Sequence, residues 1–230
     1  MAETALIVGA GSGLSAALAR RFAKEGMQVA LAARQPDKLD ALCRETGARS
    51  FRCDASQRTD VEALFAQLTA AIGAPDLVVY NPSFRSRGAI SELDPEAVLK
   101  GLLVTCYGGF LVAQQAARAM LQRKHGSILL TGASASIKGY ANSSSFAMGK
   151  FGLRGLAQSL ARELAPQNIH VAHFVIDGGI RQVNDPRAAA RGEDGMLEPD
   201  AIAENYLWVH RQHRSAWTWE VELRPWVEPF

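Results

Sequence analysis

The stretch Val8-Gly9-Ala10-Gly11-Ser12-Gly13-Leu14-Ser15 places three glycines where an apolar, β-type run ends and a helical pattern begins. Glycine permits backbone conformations closed to other residues, so a bulky anion can approach the main-chain amides of such a turn. Amides at a helix start also carry the positive end of its dipole. The chemistry this spacing suits is phosphate binding, with Gly9, Ser12, Gly13 and Leu14 around the anion. A tight strand-to-helix turn with no ligand uses the same residues. About 20 residues beyond such a turn an acid accepts the ribose hydroxyls of NAD; here Ala32-Ala33-Arg34 supplies a guanidinium. A guanidinium takes a 2'-phosphate bidentately, which favours NADP, while Asp37 close by leaves NAD possible. Arg85 and Arg87 fit a solvated loop or a clamp for an anionic substrate. Phe146 and Lys150 stand one helical turn apart on one face.

Elements that could position these residues follow from periodicity. Short β-rich runs at 4 to 8, 28 to 32, 50 to 53, 77 to 80, 127 to 131 and 170 to 176 alternate with helical segments near 14 to 25, 37 to 46, 57 to 72, 95 to 122, 143 to 164 and 200 to 212. Trp217 to Leu223 alternates with period two and reads as a last strand. Strands separated by crossover helices predict an α/β fold, a doubly wound parallel sheet of about seven strands with helices on both faces. Asp94-Pro95 suits a helix start, with Asp94 as cap. Residues 181 to 199 are rich in Gly, Pro, Arg and acids without clear periodicity, which predicts a mobile loop.

A chain of 230 residues with 48% hydrophobic content fits one domain, 1 to 230, with a sizeable core. Net charge of +2 without a basic stripe argues against nucleic acid and against a polybasic membrane contact, leaving a small-molecule substrate or ligand as partner. Cys43, Cys53 and Cys106 are odd in number and lack metal-ligand spacing, so they read as small buried hydrophobes in a reducing compartment. No apolar run approaches 18 residues and no leader-like segment precedes the first strand, so a cytoplasmic location is expected. His173 reads as an inward strand residue, and no metal is expected. All four tryptophans fall in the last quarter, consistent with core packing or with an oligomer contact.

In order and spacing, the Gly9-x-x-x-Gly13 turn, Arg34, Cys53-Asp54, Asn81, Lys150 and Ile176-Asp177-Gly178-Gly179 together resemble the short-chain dehydrogenase/reductase family over essentially the whole chain. The resemblance implies a Rossmann-type sheet, adenine contacted near Asp54, ribose near Asn81 and Lys150, and nicotinamide near Gly178 to Ile180. It also implies pairing through the helices at 95 to 122 and 143 to 164, as a homodimer or homotetramer. Ser15 replaces the third glycine of the family turn, where a serine can still pack and its hydroxyl could bond a phosphate. Tyr80-Asn81-Pro82-Ser83 is a looser match to the family's loop after strand four, stiffened by Pro82.

The catalytic positions depart further. The family pairs a tyrosine with its lysine, the tyrosine hydroxyl moving a proton while the lysine lowers its pKa and holds the ribose; here that tyrosine is Phe146. Thirteen positions earlier, at the family's serine, stands Ala133, and the asparagine that anchors a relay water falls at Thr105. Only Lys150 remains of the four. Ser134 and Tyr140 are candidate substitutes, whereas Ser145 points about 100° away from Phe146 around the helix. The expectation is therefore an NADP(H)-binding oxidoreductase of this type with a degenerate tetrad and a substrate left open. The alternative is a dinucleotide or metabolite binding protein without turnover, a sensor or structural subunit.

Overall fold

The computed structural model describes residues 2–228. Seven strands form one parallel sheet: β1 (Thr4–Val8), β2 (Gln28–Ala33), β3 (Arg49–Arg52), β4 (Leu77–Tyr80), β5 (Ser127–Thr131), β6 (His170–Ile176) and β7 (Glu220–Leu223), in the order β3-β2-β1-β4-β5-β6-β7. Helices α1 (Leu14–Lys24), α2 (Asp40–Thr46), α3 (Arg58–Ile72), α4 (Pro95–Leu102), α5 (Gly108–Arg123), α6 (Ser144–Leu164), α7 (Ala188–Arg191) and α8 (Pro199–His210) complete the fold. Buried strands covered on both faces must be apolar on both, and β1 is wholly buried. Its Ala5 and Ile7 face α1, α2 and α8, while Leu6 and Val8 face α3, α5 and α6. Fully buried Phe22, Leu18 and Leu68 each contribute about 1.5–3 kcal/mol through removal from water. The sheet order reverses between β1 and β4, and ligands of such sheets bind at the carboxyl ends of the strands beside that point.

Asp94 caps α4 as its sequence predicts, Oδ1 accepting from the Glu96 amide at 3.1 Å and Oδ2 from Ala97 at 3.2 Å. The helix expected over 95 to 122 is interrupted by a π turn at Leu103–Tyr107. The Tyr80 hydroxyl donates to the Val104 carbonyl, and Thr105 Oγ1 accepts the Phe84 amide at 3.1 Å. These insertions draw the backbone off its regular ladder, which is how wide turns form and persist. Within the 29-residue span Pro95–Arg123 the most apolar window has a mean hydropathy of 1.5, enough by length and composition alone to cross a membrane. In the fold its Leu111, Val112, Ala116 and Met120 pack against the sheet.

Two further differences concern the C-terminal third. The last strand begins at Glu220 rather than Trp217, because Trp217 stacks on His170 at 4.7 Å and donates from Nε1 to the Gln212 carbonyl, turning the chain toward the end of α8. The 181 to 199 segment contains the one-turn α7, and its ends are tied by a parallel bridge between Ile180 and Leu197.

Candidate functional site

The turn after β1 is built around Gly9, whose φ of +82° suits glycine and where a Cβ would stand 2.7 Å from Pro82. The loop after β4 therefore crosses directly over the glycine-rich turn. Gly9 and Ala10 amides both donate to the Ala32 carbonyl, at 2.9 and 3.0 Å, tying the turn to the end of β2. Gly13 caps α1 without a side-chain partner for the first-turn amides, and Ser12 is exposed above them while Leu14 is buried in the core. Ser15 takes the packing role of the two open to it. Its hydroxyl donates to the Gly9 carbonyl at 3.1 Å and accepts from Asn81 Nδ2 at 2.8 Å, and at 2% exposure it is committed to bracing the turn, away from any phosphate. The same bond engages Asn81, whose amide also donates to Val8 at 3.0 Å.

Two cavities open at this edge. One of about 950 Å³ is lined by Gly11, Ser12, Arg34, Gln35, Lys38 and Val183. The other, about 340 Å³, is lined by Gly9, Arg34, Asp54, Asn81, Pro82 and Phe84. Arg34 borders both and is exposed. Burial pushes the Asp54 carboxyl up, but hydrogen bonds from Ser56 and the charges of Arg34 and Lys100 outweigh it and hold the pKa below the ordinary value. Gly178, past the end of β6, has φ +159° and would place a Cβ 2.7 Å from Pro225. Asp177 beside it accepts from Arg224 at 2.7 Å, which fixes the loop leading to Ile180.

The tetrad positions do come together in space. Phe146, Ala133 and Ala135 form an apolar cluster of their own. Thr105, in the π turn, lies against α6 next to Lys150: a Cβ on Gly149 would be 3.0 Å from Thr105 Cβ. Lys150 is 2% exposed, and its Nζ donates to the Thr131 carbonyl at 2.6 Å. Burial, aided by the charge of Arg85, pushes its pKa down to about 7. Ser134 is half-buried at the start of a short 3-10 turn, while Ser136, which sequence reasoning passed over, accepts the Ala133 amide at 3.1 Å. Tyr140 is 45% exposed, with Lys138 Nζ 5.7 Å over its ring.

Behind Lys150 lies a polar network that the sequence did not disclose. Glu220 accepts from Arg154 at 2.7 and 2.8 Å and pairs with His173 Nδ1 at 3.0 Å. Burial depresses the His173 pKa to about 4 despite that carboxylate, with the charges of Lys150 and Arg154 acting in the same direction. Its Nε2 has no partner among the described residues and abuts Gly132. Register could have shown this, because β6 and β7 pair His173 with Glu220. No group of His, Cys, Asp or Glu able to hold a metal occurs among the described residues. Cys53 is buried in the core, whereas Cys43 and Cys106 are only partly buried.

A family profile described as short chain dehydrogenase matches residues 3–181. The chain belongs to the short-chain dehydrogenase family. Among solved members, a short-chain dehydrogenase from Rhodopseudomonas palustris is 34% identical, with TM-score 0.84 over 97% of this chain and 99% of that one. A metagenomic short-chain oxidoreductase in complex with NADP is 27% identical, with TM-score 0.85 over 98% of each chain. Short chain aldehyde dehydrogenase 1 of Euphorbia lathyris is 30% identical over 74% of this chain, a match spanning 61% of that protein's length.

Proposed function

We propose that this short-chain dehydrogenase is an NADP(H)-dependent oxidoreductase whose tetrad has degenerated to Lys150. The observation that carries the reading is the apolar cluster of Ala133, Ala135 and Phe146 beside a buried lysine. The NADP complex of the metagenomic family member supports the cofactor assignment, as does Arg34 on the rim of both cavities. Gly9, Gly13 and the uncapped start of α1 would hold the pyrophosphate, Arg34 the 2'-phosphate, Asp54 the adenine end, and Gly178 to Ile180 the nicotinamide end. The bound nucleotide would supply or accept a hydride. With no phenol at position 146, Lys150 is the group that can hold and release a proton near neutrality, since its pKa is pushed down to about 7. The Thr131 carbonyl orients its ammonium, and the Phe146 ring excludes water from that side. Exposed Tyr107 and Phe110 in the long helix and Met148 and Phe151 on α6 would be covered by a second copy, giving a homodimer or homotetramer.

A screen of carbonyl compounds followed by nicotinamide absorbance tests this reading. Turnover should decline as pH rises through about 7, where Lys150 loses its proton. Lys150→Met should lower it by about 10²-fold or more. Turnover indifferent to Lys150→Met contradicts the assignment. A second reading, a dinucleotide binding protein without turnover, is favoured by the absence of any hydroxyl in the Ala133, Ala135 and Phe146 cluster. NADPH binding with no turnover across the screen would select it.

A further inference from the structure

The cation closest to the Phe146 ring is Arg85 rather than Lys150. Arg85, on the loop after β4, lays its guanidinium over the Phe146 ring at 4.0 Å from the centroid, while Lys150 Nζ lies 5.9 Å from the same centroid. A guanidinium on an aromatic face is held by the ring quadrupole, which leaves its five donors free in the ring plane's neighbourhood. Other arginines around the site are neutralised: Arg154 by Glu220, Arg187 by Asp185 and Arg224 by Asp177. Arg85 pairs with no carboxylate among the described residues. The charged groups that act on it are Arg87 and Arg187, which add to desolvation in lowering its pKa, and Arg85 in turn lowers that of Lys150. Although much of the side chain is exposed, the guanidinium is crowded enough to feel that desolvation. Like charges gathered without a counter-ion are costly, and an anion relieves the cost.

We propose that Arg85, stacked on Phe146, is the anchor for the carboxylate of an anionic carbonyl substrate, so that substrate selection comes from the guanidinium fork. The proposal rests on reading the Phe146 and Lys150 region as the substrate pocket, and it names the substrate class. Phe146 serves as the platform that orients the fork, and a bidentate pair adds geometric selection that a lysine does not provide.

Saturation-transfer NMR with levulinate and its neutral methyl ester, with and without NADPH, reads binding directly and needs no turnover. Wild-type protein should favour levulinate by about tenfold over the ester, the usual scale for a charge-assisted pair. Arg85→Met should reduce levulinate to the level of the ester. Arg85→Lys, which keeps charge and loses the fork, should fall between, and Arg118→Gln, an exposed position on α5, should leave the preference intact. Equal transfer to acid and ester, or a preference that survives Arg85→Met with an unchanged melting temperature, would overturn the proposal. If NADPH fails to bind while the Arg85-dependent preference holds, the cofactor reading falls and the anchor stands. If NADPH binds and no preference exists, the anchor alone falls.

Discussion

At the scale of residues, an apolar cluster of Phe146, Ala133 and Ala135 stands near one buried lysine, Lys150, whose Nζ lies 5.9 Å from the Phe146 ring centroid. Phe146→Tyr with Ala133→Ser, which would set a phenol beside Lys150 and a hydroxyl across from it, tests the proposed degeneration of the tetrad directly. Carbonyl reduction should rise by about tenfold, below the usual 10² to 10⁴ of acid-base groups because Thr105 spends its Oγ1 on the Phe84 amide instead of holding a relay water. No change in rate with an intact fold would mean that the chemistry runs by another route. Lys150 also carries a stability signature. With its folded pKa near 7 against an unfolded value of 10.5, the unfolded chain binds more protons above neutrality, so stability should increase with pH. The slope should approach about 1.4 kcal/mol per pH unit between pH 7 and 9, before Cys53, pushed up to about 12 from 9.0, contributes the opposite sign. Urea unfolding across that window, with Lys150→Met removing the slope, checks it. The glycine turn, Arg34, Phe146 and Lys150 were legible because each lies in a short motif. The stacking of Arg85 on Phe146 and the His173, Glu220 and Arg154 network were not, since their partners meet only through tertiary packing.

At the scale of elements, close packing decides what Gly108 is for. A Cβ on Gly108 would stand 2.6 Å from the Ala55 carbonyl and clash with the Tyr80 hydroxyl, so α5 can reach the sheet only with glycine there. Gly108→Ala should destabilise the protein by about 1–3 kcal/mol despite alanine's better helix propensity, as read from the urea midpoint. The segment between Arg181 and Leu197 is pinned at its ends, where the Arg181 amide donates to Leu197 and the Leu197 amide to Gly179, both at 2.9 Å. Hydrogen exchange should find residues 182 to 195 fastest in the empty protein, slowed by NADPH because Val183 lines the larger cavity. Strong protection of that stretch before nucleotide is added contradicts this. Strand positions were readable from apolar runs because a sheet covered on both faces needs them, and the Asp94 cap was readable from its spacing to Pro95. The π turn and the late start of β7 were hidden, since they arise from Tyr80, Thr105 and Trp217 finding partners far along the chain.

At the scale of the whole molecule, the fold gathers cations at one end of the sheet: Arg34 and Lys38 line the larger cavity, and Arg85 and Lys150 flank the Phe146 ring. With a net charge of only +2, this is local arrangement, aimed at an anionic nucleotide and, at Arg85, an anionic substrate. The exposed apolar side chains of α5 and α6 would add a partner copy, and sedimentation should report a species of at least twice the 24.8 kDa chain mass. The account stands or falls on the nucleotide. Calorimetric titration of the protein with NADPH and NADH, repeated with Arg34→Ala, should give NADPH tighter by about tenfold or more in the wild type. The preference should vanish in the variant. Equal or tighter NADH binding in the wild type, or a preference unchanged by Arg34→Ala, would contradict the account.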